Sequence, residues 1–119
     1  MKIAITSLGQ DLDSEIDPRF GRAAYIVIVD TVNNNVQILD NSDNVNAMKG
    51  AGIQAAAMLS RSGAEVLLTG YCGPNAFKTL QAAGIKVAND VSGKVRDAVD
   101  AFNAGSITFA DSANVEAHW

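Results

Sequence analysis

Apolar and polar positions fall in blocks that read as a strand-rich start followed by alternating helices and strands. Lys2 to Ser7 sets Ile3, Ala4 and Ile5 in an unbroken apolar run, the pattern of a strand covered on both faces. Ala24 to Asp30 is a second strand, rich in β-branched residues, and Val36 to Asp40 is a third. Between these two lies Thr31-Val32-Asn33-Asn34-Asn35. Asparagine tolerates the left-handed backbone of a tight hairpin, so strands two and three are predicted to be antiparallel neighbours.

From Ile53 to Arg61 the period changes, with Ile53, Ala56, Ala57 and Ser60 on one helical face and Gly63 as the stop. Glu65 to Thr69 is a fourth strand. Gly70-Tyr71-Cys72-Gly73-Pro74 then turns the chain into a helix with Pro74 near its first position, anchored by Phe77 and Leu80 and ended by Gly84. Ile85 to Ala88 is a short fifth strand, after which Ser92 can cap a helix carrying Val95, Ala98, Val99 and Phe102. Gly105 closes it. Ser106 to Trp119 is sparse in apolar residues and has no period, so residues 106–119 are expected to be a loosely held tail on a single domain of residues 1–105.

These elements predict an α/β fold. Its mixed five-stranded sheet has strands one to three as an antiparallel meander, strands four and five parallel to strand one, and helices on its faces. A chain of 119 residues with 48% hydrophobic content suits one domain with a core. The net charge of −4 and the scattered nine Lys and Arg argue against nucleic acid. No apolar run approaches the roughly 20 residues of a membrane helix, and the start runs straight into a strand, so the expected location is cytoplasmic. One cysteine, Cys72, excludes a disulfide within the chain.

Counting strand directions brings five connections to one edge of the sheet. They are the loop after strand one, the Arg19 to Arg22 approach to strand two, Asn41 to Gly52, Gly70 to Pro74, and Asn89 to Gly93. Open α/β sheets bind ligands at such an edge. Helix starts at Gly50-Ala51-Gly52 and at Gly73-Pro74 offer N–H groups and positive dipole ends, and Arg19, Arg22 and Lys49 add charge, so the expected ligand is an anion. Each residue also has a plainer reading. Arg19 and Arg22 can pair with Asp11, Asp13, Glu15 or Asp17, and Gly50 and Gly52 can serve helix packing. Met48 can fill a gap rather than offer a thioether to a soft metal, and Asn75 can support the Pro74 turn. Cys72 is either a small core residue or a soft-metal contact whose pKa the adjacent helix start would lower. The acidic residues from Asp11 to Asp17 read as a solvated loop, since an EF-hand's glycine and last glutamate are missing.

Three segments together carry a family resemblance: Ile16-Asp17-Pro18-Arg19-Phe20-Gly21-Arg22-Ala23, then Gly50-Ala51-Gly52-Ile53-Gln54-Ala55-Ala56, then Thr69-Gly70-Tyr71-Cys72-Gly73-Pro74-Asn75-Ala76-Phe77. They resemble the dinitrogenase iron-molybdenum cofactor biosynthesis family, and within it the small orange-protein type, over roughly residues 1–105. The resemblance implies a ribonuclease-H-like fold and non-enzymatic binding or carriage of a molybdenum-copper-sulfide cluster held mainly without covalent ligation. It implies contacts from Arg19, Phe20, Gly21, Arg22, Met48, Lys49, Gly50, Gly52, Gly70, Tyr71, Cys72, Gly73 and Asn75, with Cys72 the one candidate for direct metal ligation. Carriers in this family often place His before the Phe-Gly pair, where this chain has Arg19. Arginine donates charge and hydrogen bonds but does not ligate, which favours capture of a preformed sulfide anion. Two other readings keep the fold: a regulatory module for a small anion, and a carrier of a nitrogenase-type iron-molybdenum cofactor precursor. Partners stay open between the cluster alone and further proteins of an assembly or cell-division-type complex. Catalysis by Cys72 would lack a base, because the one histidine, His118, lies outside the matched region.

Overall fold

Apolar residues at consecutive positions of the first strand point alternately to two separate cores. In the computed structural model, which describes residues 1–45 and 50–114, β1 (Lys2–Ser7) is the central strand of a five-stranded sheet ordered β3-β2-β1-β4-β5. β2 (Tyr25–Asp30) runs antiparallel to it with Ala4 opposite Ile28, and β3 (Val36–Asp40) runs antiparallel to β2. β4 (Val66–Leu68) and β5 (Lys86–Ala88) are parallel to β1, with Ile3 beside Val66 and Ile5 beside Leu68. The predicted architecture is therefore the one found. The hairpin turns where the asparagines stand, with Asn34 at φ 61° and its N–H bonded to the Asp30 carbonyl at 2.8 Å.

Four helices complete the described fold: α1 (Ser42–Val45), α2 (Ala51–Ser62), α3 (Pro74–Ala82) and α4 (Val95–Asn103). One core joins Ala4, Ile26, Ile28 and Leu67 to Ala55, Ala56 and Leu59 of α2 and to Phe77 and Leu80 of α3. The opposite core joins Ile3, Ile5, Val27, Val29 and Leu68 to Val95 and Ala98 of α4. This division follows from the strand period of two, which sends Ala4 to one face and its neighbours to the other. No helix among the described residues is long and apolar enough to cross a membrane.

Two helices depart from the pattern read in the sequence. In α2 the buried residues are Ala51, Ala55, Ala56 and Leu59, while Ile53 is 45% exposed. The cause is Gly52, where an added Cβ would stand 2.8 Å from the Ala76 Cβ, so the face running through Gly52, Ala55, Ala56 and Leu59 docks on α3. In α4 the cap position is Lys94 and no side chain caps it, rather than Ser92. The Val95 and Arg96 N–H groups bond instead to the carbonyls of Ser14 (2.9 Å) and Leu12 (2.7 Å), so the acidic loop does the work of a cap.

The chain after Gly105 also has defined partners. Ile107 packs on the α4 core and Ala110 and Ala113 on the other, and the Ala110 N–H bonds to the Val87 carbonyl at 2.7 Å. Within the segment expected to be a loosely held tail, residues 107–114 thus make specific contacts, and residues 115–119 lie outside the described residues.

Candidate functional site

β1 and β4 lie side by side, with Thr6 next to the last residue of β1 and Thr69 just past the end of β4. The buried Thr6 hydroxyl meets the Thr69 hydroxyl at 2.8 Å and donates to the Asp17 carbonyl at 2.6 Å, while the Asp17 N–H returns to the Thr6 carbonyl. Asp17 is only 1% exposed, a correction to its reading as part of a solvated loop. Its carboxylate accepts the Arg19 N–H at 3.1 Å and the Ala24 N–H at 3.4 Å, holding both ends of the turn between them. Asp11, Asp13 and Glu15 are exposed as expected, and no group of three metal-binding side chains occurs among the described residues.

The turn from Pro18 to Arg22 is then gripped from two sides. On one side the Tyr71 N–H donates to the Pro18 carbonyl at 2.6 Å, and the Phe20 N–H donates to the Tyr71 carbonyl at 3.0 Å. Gly70 faces Pro18 so closely that a Cβ would lie 2.7 Å from its carbonyl oxygen. On the other side Gly21, at φ 93°, lies against the first turn of α2, where a Cβ would meet Gly52 main-chain atoms at 2.8 Å. Below, the fully buried Asn41 donates from Nδ2 to the carbonyls of Gly21 (3.0 Å) and Ala23 (2.8 Å), and its Oδ1 accepts from Asn44. The segments carrying the three sequence motifs are thus in direct contact, beside the N-termini of α2 and α3.

Within this cluster the predicted residues separate into surface and support. Arg19 keeps 48% of its side chain exposed while its Nε lies 3.8 Å from Asp17, so it pairs with an acid of its own loop and stays open to solvent. Tyr71, Gly50 and Asn75 are exposed, and Arg22, Gly52 and Gly73 are half-buried. Phe20, Gly21, Gly70 and Cys72 are buried, and Phe20 and Cys72 belong to the core beneath. Met48 and Lys49 lie outside the described residues. Sequence reasoning passed over Asn41, Thr6 and Thr69. Only their position at the carboxyl ends of strands could have marked them.

Of the two readings of Cys72, a small core residue or a soft-metal contact with a lowered pKa, its burial in the core favours the first. Burial pushes its pKa from 9.0 up to about 12, and Sγ stands 3.7 Å from the Gly73 carbonyl. Since the folded value is the higher one, the protonated thiol contributes stability that is complete below pH 9 and is lost as pH rises toward 12. Comparing wild type with Cys72→Ala by denaturant melts from pH 8 to 11 should show a flatter profile in the variant. Parallel profiles would sink this assignment. Iodoacetamide at pH 8 should leave the native thiol unmodified.

A family model described as dinitrogenase iron-molybdenum cofactor matches residues 1–105. Among solved structures, the apo form of the orange protein from Desulfovibrio gigas is 50% identical, with 96% of each chain covered and a TM-score of 0.93. A NifB-like protein from Thermotoga is 38% identical over 96% of this chain and 97% of its own, with a TM-score of 0.84. A dinitrogenase-like protein from Methanocaldococcus jannaschii shares the fold at 16% identity, over 94% of this chain and 96% of its own, with a TM-score of 0.70. No curated protein sequence matches the chain.

Proposed function

The chain belongs to the dinitrogenase iron-molybdenum cofactor family, and we propose from this that it binds and carries an anionic metal-sulfur cluster of molybdenum-copper-sulfide type, without catalysing a reaction. The observation that carries the reading is the grip on the Pro18 to Arg22 turn. It sets a half-exposed arginine between two helix N-termini on a protein of net charge −4. A sulfide cluster is a soft polyanion, and charge with main-chain N–H groups holds it without displacing its sulfides. Arg19, Arg22, Tyr71, Gly50, Gly52, Gly73 and Asn75 form the contact surface. Phe20, Gly21 and Gly70 support it from beneath, as does Cys72 through its packing rather than as a metal ligand. Met48 and Lys49 keep the contact role given by the resemblance.

Likeness to the orange protein favours this cargo over an iron-molybdenum cofactor precursor, and Arg19 in place of a ligating histidine points the same way. Adding tetrathiomolybdate and copper(I) to the purified chain should give a visible chromophore that co-elutes with the protein on gel filtration. A chromophore left entirely in the small-molecule fraction would overturn the proposal. Retention of the full chromophore by Cys72→Ser is expected as well, in keeping with the buried thiol.

A further inference from the structure

The segment 106–114 leaves α4 and follows β5 along the outer edge of the sheet. Lys86 Nζ lies 5.4 Å over the Phe109 ring, the Ala110 N–H takes the Val87 carbonyl, and Asn89 Nδ2 donates to the Ser112 carbonyl at 3.3 Å. The segment then arrives at the candidate site. Asn114 Oδ1 accepts the Cys72 N–H at 2.9 Å, Nδ2 donates to the Gly70 carbonyl at 3.0 Å, and its own N–H donates to the Cys72 carbonyl at 3.2 Å. Nδ2 also approaches Asp90 Oδ1 at 3.4 Å.

These bonds alternate with those on the far side of the same loop. Tyr71 pairs through its N–H and carbonyl with Pro18 and Phe20, whereas Gly70 and Cys72 pair with Asn114. The Gly70 to Cys72 segment therefore behaves as the middle strand of three, clamped between the Arg19 turn on one side and, on the other, Asn114 together with the Asp90 N–H, which donates to the Gly70 carbonyl at 2.8 Å. We propose that Asn114 is a positioning residue of the site, fixing the segment on which Arg19 is docked. A side-chain amide suits this role because it offers an acceptor and a donor in one plane, as a peptide group does. Aspartate keeps the acceptor but turns a negative oxygen toward the Gly70 carbonyl and Asp90, both acceptors. Asn114 also takes the Cys72 N–H, which leaves that N–H out of the set that meets the ligand.

The effect on binding rests on the proposed cluster site, whereas the positioning itself is tested without ligand. Amide hydrogen exchange on the full-length apo protein should show Asn114→Ala speeding exchange at Tyr71 and Phe20 about tenfold or more. Phe109→Ala, which loosens the middle of the segment and spares the Asn114 bonds, should leave those two amides near wild type. In the tetrathiomolybdate and copper(I) assay, Asn114→Ala should bind about tenfold more weakly with a shifted absorption band, and Asn114→Asp at least as weakly. Wild-type protection at Tyr71 and Phe20 in Asn114→Ala would overturn the proposal, and so would an equal loss of protection in Phe109→Ala. A wild-type protein that takes up no chromophore would instead overturn the cluster reading, and the exchange result would still decide the role of Asn114.

Discussion

Gly21→Ala is expected to lower stability by about 3 kcal/mol, from two separable causes. The residue sits at φ 93°, where any side chain adds roughly 1–2 kcal/mol of backbone strain. Its new methyl would also meet main-chain atoms of Gly52 at 2.8 Å, and a helix backbone does not move aside as a flexible side chain would. Gly93 provides the control, since its φ of 96° is nearly the same and nothing lies within 4 Å of an added Cβ. Thermal melts followed by circular dichroism should therefore give a drop of about 10–15 °C for Gly21→Ala and roughly half that or less for Gly93→Ala. Equal drops would mean that the turn and α2 are not in main-chain contact in solution.

The double variant Arg19→Ala with Arg22→Ala is expected to bind the molybdenum-copper sulfide at least about 100-fold more weakly. A hydrogen bond to a charged group is worth about 1.5–3 kcal/mol, and the double variant removes two such donors from the proposed contact surface. Arg19→Lys should fall between wild type and double variant, since it keeps the charge and loses the planar fork. Raising the salt concentration should weaken wild-type binding more than the variant's residual binding. Titration of the chromophore, with circular dichroism confirming the fold, measures both effects. Unchanged affinity in a folded double variant would remove the electrostatic account of the site. Arg19 is the more telling of the pair, because it is exposed whereas Arg22 is half-buried.

Strand positions were legible because the central strands β1 and β2 are buried on both faces and carry unbroken apolar runs, and the exposed β3 was marked by the asparagine turn before it. Convergence of the motif segments on one edge followed from the strand directions alone. Features set by contacts distant in sequence were not legible. The face of α2 turned on a glycine fitting against Ala76, which hydrophobic spacing does not register. Asp17 sits in an acidic stretch yet is buried, because amides of Arg19 and Ala24 converge on it once the turn closes. Asn114 lies in a segment without period, since single hydrogen bonds and small alanines hold it rather than an amphipathic face. The helix start before Pro74 suggested a lowered thiol pKa, but the side chain lies in the core and burial raises it.

Where Gly21 meets Gly52 there is no side chain on either surface. The gap between the arginine turn and the second helix is accordingly a gauge set by the thickness of two bare main chains. Rotamer changes, which let most binding clefts widen or narrow around different guests, have nothing to act on along this seam. Adjustment at the proposed site then falls to the reach of Arg19 at its outer rim, with a constant width expected at its base.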